Sequence, residues 1–298
     1  MANKETPKFN LDDIVNRVRK TFKDPKYDFK VGSGNNLKDL EEKDFIKLPS
    51  FWTESTGTFG IPFGRMTLIA GGPDSGKTSV AIQAIKAAVE QGCGVLYVET
   101  EGKTTEKDFK AWGVDPSQIL VVRSAIAEEA FDLTFSAWDA FREEYPDVPF
   151  FVVIDSLGNM ISQRDSDIDL VEQSAQPGGK GKINRLGLNR IVAKMNEEGQ
   201  KVAILLVSYT YDLMGSPGKK NAGGEAMNYY STLTYQTARK RWLEKTVKGE
   251  KVRYGAEVLF KLYKNHINKD KPGHKEILYQ ITADGIKFVG GSDPDDEE

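Results

Sequence analysis

Met66-Thr67-Leu68-Ile69-Ala70-Gly71-Gly72-Pro73-Asp74-Ser75-Gly76-Lys77-Thr78-Ser79 is the stretch that decides how this chain folds. Met66 to Ala70 reads as a short apolar strand, and Ser79 to Glu90 reads as a helix. Between them the pattern G-x-x-x-x-G-K-[ST] is complete, with Gly71, Gly76, Lys77 and Thr78 in its fixed positions. Glycine has no Cβ, so the backbone can close around a phosphate, and the free N–H groups at a helix start point at the anion. Gly72, Pro73, Asp74 and Ser75 complete the cradle and Ser79 leads into the helix. Lys77 is expected to reach the β- and γ-phosphates, and the Thr78 hydroxyl to hold Mg2+. The pattern predicts a site for a nucleoside triphosphate.

Around this loop the chain has 298 residues, enough for one or two domains with a full core. A hydrophobic content of 39% with 29% charged residues is that of an ordinary soluble protein. The formal charge of -3 hides local asymmetry. Asp293 to Glu298 holds five carboxylates in six residues, whereas Arg239 to Arg253 holds seven Lys/Arg against two Glu. An acidic total therefore leaves DNA open as a partner, because a local basic patch supplies the phosphate contacts. Cys93 is the only cysteine, which excludes a disulfide framework and a thiolate zinc cluster. The N-terminus lacks an apolar signal core, and no run of about 18 apolar residues occurs, so no membrane partner and a cytoplasmic location are expected.

The chain reads in three parts. Residues 1–30 hold a helical segment with Leu11, Ile14, Val15, Val18 and Phe22 on one side, a possible oligomerisation arm. Residues 31–290 form the core, and 291–298 an acidic tail. From Phe51 strands and helices alternate: Val95–Glu99, Ile119–Arg123, Phe150–Asp155 and Val202–Ser208 are strands. Thr104–Trp112 and Ala127–Tyr145 are helices, and a third runs to about Asn196. Beyond Gly224 the pattern is strand-rich to Val289. This predicts an α/β fold with a mostly parallel central sheet flanked by helices, and antiparallel C-terminal strands.

The chemistry gathers at the strand ends, where open α/β sheets bind ligands. Asp155 follows an apolar strand and is expected to organise Mg2+ through a bound water. Glu99 and Glu101 end another strand; either can orient water against the γ-phosphate, and residues two apart on an extended chain face the same way. Ser208 ends the next strand, where a polar group is placed to contact the γ-phosphate. Two polar, glycine-containing segments follow consecutive strands. The first, Gln163 to Lys182, carries Lys180 and Lys182 with Arg185 just beyond. The second, Tyr209 to Gly224, carries Tyr209, Tyr211, Lys219, Lys220, Gly223 and Gly224. Lysine meets phosphates, glycine keeps a loop mobile and aromatic rings stack on bases, so both segments read as DNA-binding loops. The bland alternative is an active-site loop without a polymer ligand.

In this order the elements resemble the RecA-type homologous recombinases, especially their phage UvsX-like branch, from about Val31 to Val289. Gly60-Ile61-Pro62-Phe63-Gly64-Arg65 resembles the lead-in G-[LI]-P-x-G-R. Tyr97-Val98-Glu99-Thr100-Glu101 resembles a strand ending in D-x-E, whose last carboxylate is the base; the resemblance thus selects Glu101. Trp112-Gly113-Val114-Asp115 resembles L-G-V-D, Val153-Ile154-Asp155-Ser156 resembles V-V-D-S, and Gly223-Gly224-Glu225-Ala226 resembles G-G-N-A. By the same resemblance Phe109 lies near the adenine ring or in the core. Lys264-Asn265-His266 resembles K-N-K, so Lys264 and His266, at the end of a short strand and projecting to one side, reach a neighbouring subunit's nucleotide. Ser208 stands where the bacterial protein has a γ-phosphate-sensing glutamine, and His266 replaces a lysine. The end soon after Val289 leaves no room for the bacterial C-terminal regulatory domain, and the tail is expected to compete with DNA for basic surfaces.

The resemblance implies a DNA-stimulated ATPase using ATP and Mg2+. It implies filaments on single-stranded DNA, pairing with homologous duplex, and single-strand-binding and mediator proteins as partners, in the cytoplasm of a phage-infected host. The alternatives are a helicase-like ring motor, a recombination mediator, and a regulatory ATPase that assembles without strand exchange.

Overall fold

The strand that feeds the phosphate loop sits near the middle of a ten-stranded sheet. The structure is a computed structural model describing residues 10–21, 39–49, 52, 57–167, 179–198, 201–212, 219–268, 276–283 and 285–290. The chain divides into two compact units, Met1–Glu41 and Glu42–Glu298. In the first unit, Leu11–Thr21 forms the expected amphipathic helix α1; Phe22 lies outside the described residues, as does the acidic tail.

The second unit begins with a small antiparallel pair, β1 (Phe45–Lys47) and β2 (Gly60–Pro62). Gly60 has φ +152°, and a Cβ there would overlap the Ile46 carbonyl oxygen, which is why the lead-in carries glycine. The Gly60→Ala protein should lose roughly 1–3 kcal/mol from backbone strain alone, before the overlap is relieved. Urea unfolding followed by circular dichroism measures it, and an unchanged midpoint would contradict this packing.

The main elements are β3 (Met66–Gly71), α2 (Lys77–Glu90), β4 (Gly94–Glu99), α3 (Glu106–Ala111), β5 (Ile119–Arg123), α4 (Ala127–Glu144) and β6 (Phe150–Asp155). They continue with α5 (Gln163–Asp167), α6 (Gly179–Glu198), β7 (Val202–Asp212), β8 (Lys219–Asn221) and α7 (Ala226–Tyr230). Last come β9 (Ser231–Val247), β10 (Glu250–Asn265), β11 (Glu276–Thr282) and β12 (Gly285–Gly290). The order across the sheet is β12-β11-β10-β9-β3-β7-β6-β4-β5, with β8 paired to β7 alone. The run from β9 to β5 is parallel, and β10 to β12 add antiparallel pairs, as the sequence pattern predicts.

Alternate strand residues serve opposite faces. Phe150, Val152 and Ile154 of β6 enter a cluster with Phe131, Phe135 and Trp138 of α4 and Leu188 and Ile191 of α6. Phe151 and Val153 enter the cluster built on Val80, Ala84 and Ile85 of α2. Burial on both faces explains why these strands are apolar throughout, and the result is three layers.

Two boundaries differ from the sequence reading. Strand β7 runs to Asp212, four residues past Ser208, because Thr210, Tyr211 and Asp212 pair with β8. The Tyr209–Gly224 segment is therefore a hairpin at both ends, and 213–218 lie outside the described residues. Helix α6 starts at Gly179, so Lys180, Lys182 and Arg185 belong to its first turns rather than to a loop.

Candidate nucleotide site

Parallel pairing delivers the acidic groups to the phosphate loop. In register, Gly71 at the end of β3 stands beside Tyr209 of β7, Asp155 of β6 beside Val207 of β7 and Glu99 of β4 beside Asp155. A cleft of about 480 Å3 opens at this edge, lined by residues 73–79 with Glu101, Lys103, Asp155, Asn159 and Tyr209. A second lobe of about 220 Å3 runs from Thr78, Ser79 and Ile82 past Glu101 to Thr104, Asp108 and Trp112.

The loop is shaped by its own backbone. Gly76, the residue before α2, has φ 81°, and Asp74 has φ 51°. A Cβ on Gly71 would overlap the Thr237 and Ser75 hydroxyls, which bond to each other at 2.6 Å. Strand β9 thereby braces the loop from below, and Arg239 pairs with Asp74 at 3.2 Å. Lys77 Nζ donates to the Gly72 carbonyl at 2.7 Å, lying along the cradle. Burial pulls its pKa down, opposed by Asp155, Glu101 and Asp74.

Asp155 Oδ2 accepts from Thr78 Oγ1 at 2.8 Å and from Tyr97 OH at 3.2 Å. Asp155 is 6% exposed, and burial first of all raises its pKa to about 6. The ion the loop implies fits this donor set. One hydroxyl and one carboxylate, both hard oxygens, leave the remaining positions of Mg2+ to phosphates and water, as that ion prefers. Among the described residues no group of three or more His, Cys, Asp or Glu forms a protein-only cage. Because the folded pKa of Asp155 is raised, ionising it costs stability as pH rises from its ordinary value of 3.8 through about 6. Below that pH the proton competes with the metal. Magnesium-dependent nucleotide binding should weaken as pH falls through about 6, and titrations at fixed ionic strength test it. A flat profile from pH 5 to 8 in this assay would remove Asp155 from the metal site.

The two glutamates separate. Glu99 is buried and accepts from the backbone N–H groups of Glu101, Gly102 and Lys103. It builds the turn. Glu101 projects into the cleft, where it accepts from Ser156 at 3.0 Å, from Lys103 at 2.6 Å and from Asn159. Burial pushes its carboxyl up, but these bonds outweigh that and hold it below the usual range.

Several expected residues are placed elsewhere. Ser208 is fully buried within β7, beside Ala70, and donates to the Tyr209 carbonyl at 3.3 Å. The next residue, Tyr209, faces the cleft instead, since neighbours on a strand point to opposite faces. Phe109 is 5% exposed and packs edge-on against Tyr97 in the core; Asp108 and Trp112 of the same helical stretch face the second lobe. Lys264 lies one residue before the end of a sixteen-residue strand, not a short one, beyond a bulge between Leu262 and Lys264, and His266 follows just past that end. Asn265 pairs with Leu233, which pairs with Thr67 near the start of β3, so this end lies away from the phosphate loop. Lys264 Nζ donates to the Asn228 carbonyl at 2.7 Å, and His266 is exposed. Of the DNA-loop residues, Lys182 and Arg185 are exposed on α6, Tyr211 is 48% exposed on β7, and Gly224, with φ 96°, closes the hairpin beside buried Gly223.

Asn159 and Lys103 were not legible as site residues. Asn159 lies in the 3-10 turn after β6, and only the fold of that turn aims it at Glu101. A polar residue four places after the aspartate that ends an apolar strand was the one available signal.

Residues 28–286 match the family model described as the RecA N-terminal domain. The chain belongs to the RecA family. Its relatives include Protein RecA of Fusobacterium nucleatum, 28% identical over 269 residues, 87% of this chain and 66% of that protein. Protein RecA of Malacoplasma penetrans is 25% identical over 81% of this chain and 68% of the relative. That of Nitratidesulfovibrio vulgaris is 25% identical over 88% and 71%. The chain thus spans about two thirds of the length of these relatives. The RecA fold expected from the strand order is the fold found, with antiparallel β10 to β12 at one edge.

Proposed function

We propose that this RecA-family chain is a DNA-stimulated ATPase that uses ATP with Mg2+, assembles as a filament on single-stranded DNA, and pairs that strand with homologous duplex. One observation carries the reading. Tyr209 lines the phosphate cleft, and the same strand continues through Tyr211 to Asp212, paired with Lys219 to Asn221 of the hairpin read as DNA-binding. The nucleotide contact at Tyr209 and the DNA contact at Tyr211 thus lie two residues apart on one strand, and a shift at one end would move the other. Tyr209, rather than Ser208, is the residue placed to report the γ-phosphate. Backbone phosphates supply most contacts, so little sequence preference follows.

Bound Mg2+ would offset phosphate charge and polarise the terminal phosphoryl group. Thr78 and Asp155 would hold it, Lys77 would bind the β- and γ-phosphates, Trp112 and Ile82 would border the base, and Glu101 would orient water. The position of Lys264 and His266 at the far sheet edge supports a role toward a neighbour's nucleotide. The motif likeness supports a phage-type member acting in a host cytoplasm, with single-strand-binding and mediator proteins as partners.

The deciding experiment is ATP turnover with and without poly-dT, paired with electron microscopy. Turnover that rises with DNA, and helical filaments that need DNA, are expected. Closed rings formed without DNA would favour a motor or a regulatory ATPase.

A further inference from the structure

Glu101 is gripped from two sides, and the grips differ in kind. Oε1 accepts from Ser156 Oγ and Asn159 Nδ2, which also bond to each other at 3.0 Å in the turn after β6. Ser156 is buried and Asn159 half-buried, so this grip is part of the scaffold. Oε2 accepts from Lys103 Nζ at 2.6 Å, and the Lys103 side chain is 79% exposed. Lys103 follows Gly102, which has φ 69° and open space where a Cβ would stand. It borders both lobes of the cleft, alongside Thr78, Glu101 and Asp155. A flexible four-carbon stem carrying a point charge is suited to changing partners.

A terminal phosphate brings about two negative charges against one on a carboxylate, and a cation between them follows the stronger field. We propose that Lys103 is a positioning cation in cis that exchanges between Glu101 and the terminal phosphate of a bound nucleoside triphosphate. While Lys103 holds Oε2, the ammonium takes one of that oxygen's lone pairs and offsets the charge that a water-orienting base needs. Once it moves, Asn159 and Ser156 keep Oε1 fixed and Oε2 is free. Oε2 then accepts the proton as the water oxygen bonds to the γ-phosphorus. The bond from that phosphorus to the β–γ bridging oxygen breaks, its electron pair leaving with the diphosphate. A bound diphosphate presents no terminal group at that place, so Lys103 stays on Glu101 and the base stays idle. The exchange rests on the reading of Glu101 as the water-orienting base.

Binding alone reads the exchange. Affinities for a non-hydrolysable ATP analogue and for ADP, each with Mg2+, are measured by titration on the full chain for wild type, Lys103→Ala, Lys103→Arg, Glu101→Gln and the double variant Lys103→Ala with Glu101→Gln. Lys103→Ala should lose roughly tenfold for the triphosphate, the value of one charge-assisted hydrogen bond, and nothing for ADP. Lys103→Arg should restore most of it. Equal losses for both nucleotides, or none, overturn the proposal. Glu101→Gln removes the competitor for Lys103, so it should increase the preference for triphosphate, and by less when Lys103 is already Ala. Equal increments in the two backgrounds overturn the exchange. Failure of the broader reading looks different: Glu101→Gln would then keep normal ATP turnover, whatever the titrations show.

Discussion

Lys77→Ala protein should turn over ATP at least roughly 100- to 1,000-fold more slowly than wild type at saturating DNA and magnesium, the scale for losing one preorganised charge facing the reacting phosphates. The structure explains why the effect should be large. Lys77 Nζ lies along the cradle at 2.7 Å from the Gly72 carbonyl, and burial leaves the amine poorly solvated. Lys77 therefore meets a phosphate without first shedding much water. Its neighbours include the acidic Asp74, Asp155 and Glu101, with Lys103 paired to Glu101, so without Lys77 the cleft attracts the nucleotide far less. Arginine is too large and planar to follow the same path, and Lys77→Arg should rescue little. Phosphate release at saturating magnesium and poly-dT is the measurement. Turnover within a few-fold of wild type would show that the loop is not the site. The fold should survive, because the loop is braced by Ser75 and Thr237 and not by Lys77.

Glu101→Gln should fail differently, binding nucleotide and DNA while losing roughly 100- to 10,000-fold in turnover, the range for a positioned general base. Glutamine keeps one acceptor oxygen for Ser156 and Asn159, so its position survives while its basicity is gone. Glu99→Gln serves as the contrast. Glu99 accepts three backbone N–H groups across both oxygens, and an amide can accept only on one. That substitution should cost roughly 1–3 kcal/mol of stability, because backbone donors are left without partners. Single-turnover hydrolysis, nucleotide titration and thermal unfolding on both variants separate the roles. If Glu99→Gln kept native stability and lost turnover while Glu101→Gln kept it, the base would be Glu99.

The shape of the sheet also bears on how such a site communicates. The hairpin that begins at Tyr209 shares a strand with the fully buried stretch Val202 to Ser208. The brace from Thr237 to Ser75 extends the connection to β9, whose outer half carries Arg239, Lys240 and Arg241. Cation–π contacts from Arg239 and Arg253 to Trp242 hold that basic hairpin together.

What the sequence alone determined was whatever depends on neighbours along the chain. The phosphate cradle is built from the backbone of Gly71 to Thr78, so its residues state their geometry directly. Apolar runs such as Phe150–Ile154 state that a strand is covered on both faces. Glu99 and Glu101, two apart in sequence, could be chosen between only by resemblance; the fold separates them by placing backbone N–H groups under one and open cleft beside the other. Ser208 against Tyr209 turned on strand length and register, and with a period of two a single step exchanges the buried face for the cleft. Phe109 against Asp108 turned on the helical face that α3 presents, decided by its packing on Tyr97. Asn159, Lys103 and Thr237 meet the site only because β4 and β6 end at one sheet edge and β9 passes beside the phosphate loop there. Such meetings are set by parallel pairing between segments far apart in sequence, and no local pattern records which strands become neighbours.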